Sequence, residues 1–386
     1  MMFHGALKTK SIISTQYFLF FGALGVFLPY FNLYCYHLGF SGFQIGLISS
    51  ARSITLVVFP FLWSILADRY RMRRSIYIFC LVTSTAVWAF YLFTDQFVPM
   101  LVITICYGIF FSPIISFLEA ITMDLLGREK MRYGSIRAWG SISFIITVLV
   151  MGKAIDRSSV NIIIACILAA FAVQSLSSFA LPVPAANKKI IALSQAKIFF
   201  NRRVLLFLIC AFLMLVSHGT YYGFFSIHLE SLGYDKTFIG LSWALASTAE
   251  ILVMIKSEKI FKRFSLDHVI LFSIFVGALR WFALYSSNST LVILVTQISH
   301  AVTYGTFHMA SILYIDRLAP EEAKTLGQAI NNSLTYGLGL MVGFFLNGWL
   351  FDILGSNTLF FISGAIGVSA GVMFTASTRR RHETNP

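Results

Sequence analysis

The sequence predicts an all-α polytopic membrane protein with twelve spanning helices in two six-helix halves. Three observations carry this. Charge is scarce: 58% of residues are hydrophobic, 12% are charged and the mean hydropathy is +0.79, against about 25% charged residues in an ordinary soluble domain. Apolar stretches of about 20 residues, the length a helix needs to cross a bilayer, recur along the whole chain. The basic residues are segregated rather than scattered.

In chain order the stretches fall near 12–37, 43–66, 75–94, 98–122, 135–155, 161–181, 205–229, 236–256, 267–286, 290–314, 327–351 and 357–377. Barrel strands are shorter and alternate in polarity, so these read as helices. The first stretch is too long for a signal-peptide core and has no clear cleavage site, so it is counted as a helix. The five cysteines (Cys35, Cys80, Cys106, Cys166, Cys210) are isolated in apolar segments, with no metal-ligand spacing. They read as small buried hydrophobes, and no metal is expected.

The net charge of +13 invites a nucleic-acid reading, which the distribution of charge opposes. With the N-terminus in the cytoplasm, 23 of the 29 Lys and Arg residues fall on the cytoplasmic side. Lys153, Arg157 and Lys236 fall outside, and Arg52, Arg137 and Arg280 sit in helices. That is the positive-inside bias. It predicts a multi-pass protein of the cell inner membrane with both termini cytoplasmic, and no nucleic-acid partner.

The longest hydrophilic break, "PVPAANKKIIALSQAKIFFNRR" over 182–203, separates the halves. The expected organisation is an N-terminal six-helix bundle over 1–184, a cytoplasmic linker over 185–204 and a C-terminal bundle over 205–386. Ile190 to Phe200 is expected to form an amphipathic helix at the interface. The halves resemble each other. "LGFSGFQIGL" (38–47) aligns without gaps to "LGYDKTFIGL" (232–241), and "GKAID" (152–156) answers "GWLFD" (348–352). Such ordered symmetry is expected of parallel repeats around a central site.

With these features the chain resembles the major facilitator superfamily, over its whole length. "SILADRYRMRR" (64–74) resembles that superfamily's loop between helices 2 and 3, with Asp68 and Arg69 in place. The resemblance implies a gating role for these two. The plainer reading is a solvated charge cluster that sets topology. Ser64 and Arg71 stand where the motif usually has glycines.

Glu119 closes one apolar run and Arg137 opens the next, 18 residues later. "YGSIRAWGSISF" (133–144) resembles the segment of the lactose permease and 3-phenylpropionate permease groups that carries an essential arginine. The resemblance implies a Glu119–Arg137 couple that holds substrate; Trp139 and Arg52 are further candidate binding residues. The alternative is that both charges snorkel at the interface. Arg52 is either a cavity charge or half of a structural pair, and Trp139 and Trp281 could stack on substrate or fill the bundle. Asn331 and Asn332 are expected to bond neighbouring helices.

In the second half "SHGTYYGFFSIHLESLGY" (217–234), "AEI" (249–251), "ALRWF" (278–282) and "QISHAVTYGTFHMASILYI" (297–315) resemble the phenylpropionate permease group. They place His218, Tyr221, Tyr222, Glu250, Arg280, His300, Tyr304 and His308 in four consecutive helices. The spacing puts His218, Tyr221 and Tyr222 on one side of a helix. At α-helical pitch His300 and His308 lie some 80° apart. A lone histidine here would be a packing residue, whereas a carboxylate, an arginine and two histidines together are harder to explain as packing. Histidine titrates near pH 6.5 and burial favours a neutral carboxyl group. Glu250, Arg280, His300 and His308 are therefore the candidate proton-coupling set, and His218, Tyr221 and Tyr222 candidate binding residues.

No ATPase motif, phosphate-binding loop or nucleophile triad is evident, so an enzyme is not expected and the proton gradient replaces any cofactor. The predicted function is a secondary transporter, a monomer importing a small organic solute with protons. An aromatic acid such as 3-phenylpropionate is the first reading. A sugar or nucleoside symporter, an efflux antiporter and a non-transporting sensor are the alternatives.

Overall fold

The computed structural model describes residues 2–183, 202–320 and 323–384. The predicted linker falls almost wholly outside the described residues, and the amphipathic helix expected over 190–200 falls entirely outside them. Every regular element among the described residues is helical. In chain order these are α1 (Met2–His37), α2 (Gly42–Tyr70), α3 (Arg73–Ala89), α4 (Phe97–Phe111), α5 (Ile114–Leu126), α6 (Tyr133–Arg157), α7 (Ile162–Ser178), α8 (Arg202–Ser231), α9 (Lys236–Arg263), α10 (Leu266–Ser286), α11 (Thr290–His300), α12 (Phe307–Leu318), α13 (Lys324–Asn331) and α14 (Leu340–Thr384).

A backbone in hydrocarbon must satisfy its own polar groups, and uninterrupted helices do so. Ten runs among the described residues are long and apolar enough to cross a membrane, and the 17-residue α7 is a shorter apolar helix. The α4 and α5 helices make a single run, Phe97–Leu126, broken only at Ser112–Pro113, where proline lacks an N–H. The last run, Leu326–Ala376, has 51 residues. At 1.5 Å per residue it would be about 76 Å long, more than twice a hydrocarbon core of about 30 Å. It breaks at Gly355, whose backbone (φ 74, ψ 164) suits glycine alone.

The chain forms two compact units. The first is Met1–Phe40, Ala51–Ile191 and Asp235–Ala244; the second is Ser41–Ser50, Ala192–Tyr234 and Leu245–Pro386. The beginning of α2 thus belongs to the second unit and the beginning of α9 to the first. The first unit is centred on Trp88, buried among Phe27, Phe31, Tyr91, Tyr107 and Phe171, its Nε1 donating to the Ile164 carbonyl at 3.1 Å. The second packs α8 closely against α14, where Gly219 and Gly343 meet backbone to backbone. There Thr220 donates to Asn347 Oδ1 at 2.6 Å. Asn331 does not reach a neighbouring helix as expected. Its Oδ1 accepts from Thr335 four residues on, inside its own helical run.

The internal repeat has a counterpart in hydrogen bonding. In the first unit the Asp156 carboxylate accepts the Lys236 and Thr237 N–H groups at 2.9 and 2.8 Å. In the second unit Asp352 accepts those of Gly42 and Phe43 at 2.7 and 3.2 Å. In the 38–47 and 232–241 alignment Gly42 matches Lys236 and Phe43 matches Thr237. Each aspartate satisfies orphan donors at a helix start and complements its dipole. Glycines allow the approach: a Cβ on Gly152 would collide with the Lys236 carbonyl, and one on Gly348 with the Gly42 carbonyl.

Three helix ends share one geometry. The N–H of a residue two or three past the end returns to a carbonyl five residues back: Phe40 to Cys35, Met72 to Ala67 and Tyr234 to Leu229. This ending needs a left-handed residue. Gly39 (φ 83), Arg71 (φ 54) and Gly233 (φ 87) supply it. Arg71 therefore keeps the turn that the usual glycine would make, at the cost of a clash at its Cβ. Arg71→Gly should stabilise the protein by roughly 1 kcal/mol, the left-handed penalty less the entropy glycine adds to the unfolded chain. The check is a melting temperature a few degrees above that of the native protein in detergent.

Candidate functional site

The second unit brings most of its predicted residues together. The α8 helix contributes His218, Tyr221 and Tyr222, α9 contributes Glu250 and α10 contributes Arg280, while α11 and α12 supply Gln297, His300 and His308. His300 is the hub. Its Nε2 lies 2.8 Å from Glu250 Oε1, and its Nδ1 lies 2.8 Å from Arg280 Nη1. An arginine can only donate, so Nδ1 accepts and carries no proton. The proton is then on Nε2 and is donated to the Glu250 carboxylate. Arg280 thereby sets the tautomer that lets a neutral imidazole link cation to anion. The side chains of His300 and Glu250 are 4% and 19% exposed, and Arg280 is 2% exposed.

The surroundings tie this line in place. Arg280 Nη2 donates to Gln297 Oε1 at 3.3 Å, and the Tyr221 hydroxyl donates to the same oxygen at 3.0 Å. The Arg280 guanidinium lies over the Tyr221 and Trp281 rings, at 4.3 and 4.5 Å. The Tyr222 hydroxyl stands 3.4 Å from His300 Nε2. His218 binds the Met214 carbonyl through Nδ1 at 2.8 Å. Among the described residues its buried Nε2 has no hydrogen-bond partner.

Directly after His300 the backbone widens into a π-helical turn, Ala301–Thr306, and a second one follows at Asn332–Gly339. Such turns occur frequently at functional sites. Here they present Tyr304 and Tyr336, whose rings meet edge to face at 5.9 Å. The π turn also alters the rotation between His300 and His308 that α-helical spacing implies. His308 turns to Tyr336, its Nδ1 2.7 Å from the hydroxyl, and His300 takes Glu250. Gln297, Tyr336 and Thr303, whose hydroxyl accepts from Arg280 Nη1 at 3.4 Å, are site residues the sequence analysis did not name. Gln297, an amide in an apolar run one turn before His300, was the readable signal.

The first unit holds the other candidates. Glu119, half-buried on α5, accepts from the Tyr133 hydroxyl at 3.3 Å. Arg137 on α6 lies over the Phe21 ring at 3.8 Å and toward Tyr17 at 5.6 Å. Among the described residues the two share no ion pair. Trp139 is 48% exposed. Arg52, ten residues into α2, lies over the Phe27 ring at 4.5 Å. Asp68 pairs with Arg73 at 2.9 Å, and Arg73 also pairs with Asp124 at 2.9 Å. Arg69 takes no part in that bridge and rests over Tyr70.

This chemistry, a carboxylate, an imidazole and a guanidinium joined inside helices of an apolar bundle, suits a membrane transporter. Residues 11–362 match the family described as "MFS_1 like family". The chain belongs to this family. Its members named here are transporters. The "Probable 3-phenylpropionic acid transporter" of Escherichia coli (strain K12) is 26% identical over 376 residues, covering 94% of this chain and 97% of that protein. The "Maltose permease" of Geobacillus stearothermophilus is 25% identical, covering 98% and 97%. The crystal structure of the nucleoside transporter NupG has the same fold, with a TM-score of 0.87 at 20% identity, covering 95% of this chain and 98% of that one. The chain is a multi-pass major facilitator transporter and not an enzyme.

The His300 link predicts strong coupling between charges that do not touch. Glu250→Gln and Arg280→Gln should each destabilise the protein, because each strands the opposite charge. The double variant should lose less than the sum, by about 1–3 kcal/mol. Denaturation of the four proteins closes the cycle. An additive result would mean that His300 does not join the two.

Proposed function

We propose that the chain is a proton-coupled symporter that imports a small organic acid, of which an aromatic acid such as 3-phenylpropionate is the favoured case. The observation that carries the coupling is the Arg280–His300–Glu250 line. Glu250 is the one carboxylate in that cluster, and its bond to His300 is charge-assisted only while Glu250 is ionised. Loading a proton on Glu250 weakens the bond from a charged to a neutral one and leaves Arg280 without its counter-charge. Proton occupancy is thereby converted into a change of side-chain bonding across α9, α10 and α11. The substrate reading rests on the similarity to the phenylpropionic acid transporter and on three arginines set in apolar helices. His218, Tyr221, Tyr222, Glu119, Arg137 and Trp139 are the proposed binding residues. Asp68 and Arg69, with Arg73 and Asp124, are the proposed cytoplasmic gate.

The topology that this function requires is twelve crossings in a monomer of the cell inner membrane, with bundles over 1–184 and 205–386, a linker between them and both termini cytoplasmic. Ten long apolar runs, the short α7 and the break at Gly355 support that count. A cysteine at Ser158, placed in a background without other cysteines, should react with an impermeant reagent from outside whole cells. One at Arg71 should react only after the cells are opened. The reverse pattern would invert the topology.

A sugar symporter is the second reading, supported by the similarity to the maltose permease and by Glu119. Among the described residues Tyr133 is the only hydrogen-bond donor on the Glu119 carboxylate, which leaves acceptor capacity for a hydroxyl-rich solute. Glu250→Gln tests the coupling whichever solute is carried. It fixes the site in a form that mimics the protonated acid, so gradient-driven uptake into proteoliposomes should fall to background. Exchange of labelled for unlabelled solute needs no deprotonation and should persist. Full gradient-driven uptake by the variant would falsify the role of Glu250.

A further inference from the structure

Three arginines lie inside apolar helices, and two stand near a carboxylate. Arg280 reaches Glu250 through His300, and Arg137 shares the α5–α6 corner with Glu119, one bond from Tyr133. Arg52 has no hydrogen bond or ion pair from its guanidinium among the described residues. It lies about 15 Å along α2 from the helix start, near the depth where an unmatched charge costs at least about 2.5–3.5 kcal/mol. The helix is held there by close packing: Thr55, one turn on, stands where a Cβ on Gly108 would be. The Thr55 hydroxyl donates back to the Arg52 carbonyl at 2.7 Å.

Among the described residues the recorded neighbours of the Arg52 guanidinium are aromatic, with no acid among them. Its guanidinium sits over Phe27, which stacks on Phe31 at 4.7 Å and meets Trp88 at 5.8 Å. The phenols of Tyr91 and Tyr107 are the polar groups that act on it electrostatically. A cation over a ring is attracted to the ring face, and its N–H edge stays free for a planar bidentate acceptor. Arg52 is only half-buried, and none of its nitrogens is among the sealed atoms without a partner. The free edge therefore opens on accessible space.

We propose that Arg52 binds the carboxylate of the transported organic acid through two parallel hydrogen bonds, with Phe27 as the plate that orients the guanidinium. This rests on the organic-acid reading above and goes beyond it. It makes Arg52, rather than Arg137 or Arg280, the residue that selects an acid over its neutral analogue. An anion bound there supplies the counter-charge that Arg52 lacks among the described residues.

The test uses purified full-length protein in detergent, with 3-phenylpropionate and its uncharged amide as probes, read by equilibrium binding and by melting temperature. Arg52→Gln should lower affinity for the acid at least tenfold and leave affinity for the amide within twofold of native. Arg52→Lys keeps the charge but loses the fork, and should recover only part of the acid affinity. Without ligand, Arg52→Gln should melt no lower than native, because it removes an unmatched charge. A lower melting temperature would instead show a structural partner, and overturn the proposal. Native affinity for the acid in Arg52→Gln, with binding lost in Arg137→Gln, would also overturn it while leaving the organic-acid reading standing. Native protein that binds no aromatic acid would overturn both.

Discussion

A charge placed inside an apolar helix has to be answered by a partner or by an accessible cavity, because the hydrocarbon of a bilayer supplies neither water nor counter-ions. The structure follows this constraint at several levels. The helix starts of α2 and α9 are answered by Asp352 and Asp156, which take up backbone donors that would otherwise go unsatisfied. The end of α7 is answered by Arg74, which donates to the Phe179 and Leu181 carbonyls. Arg280 and Glu250 answer each other, but through an imidazole. A direct ion pair would be stable and hard to open. A histidine between the two transmits charge while adding a group that can itself be re-bonded, so the arrangement is matched without being locked.

The apolar runs were legible in the sequence because their signal is additive. Twenty residues of one character outweigh any local exception, and even the break in the last run coincides with a glycine, Gly355. The chemical residues of the second unit were legible for a related reason. His300, Glu250 and Arg280 are costly where they stand, so their presence alone points to use. Their partnerships were not legible. Helical spacing at 3.6 residues per turn put His300 and His308 on one face, and the π turn at Ala301–Thr306 changed that. No sequence period announces a π turn. Asp68 likewise bridges to Arg73 rather than to its neighbour Arg69. Arg69 follows Asp68 directly in the helix and so points away from it, whereas Arg73 starts the next helix and can turn back.

Arg71 shows how a motif can lose its marker and keep its geometry. The glycine that usually permits a left-handed helix end is absent, but the returning Met72 N–H bond is made all the same. The bonding pattern of the turn therefore outweighs the steric preference of one residue. The same turn at Gly39 and Gly233, at matched positions of the two halves, indicates that the fold fixes where α2 and α9 begin through a repeated device. The aspartates that cap those two helices belong to the same repeat.

That symmetry stops at the functional groups. The capping aspartates, the left-handed turns and the glycine contacts occur in both units, as parts that hold helices in register should. Among the described residues the titratable line of Glu250, His300 and Arg280 has no equivalent in the first unit, where Arg52, Arg137 and Glu119 stand among aromatic rings. A symmetric scaffold carrying asymmetric chemistry suits a symporter, which must bind two unlike species in one cycle. In the proposed cycle a group that exchanges a proton needs a neighbour whose bonding changes with charge, which is the role proposed for His300. A group that binds an organic anion needs the opposite, a cation whose charge stays fixed throughout, and arginine supplies it. On the proposed reading the carboxylate that exchanges a proton stands in the second unit, beside His300, and the guanidinium that binds the anion stands in the first, over Phe27.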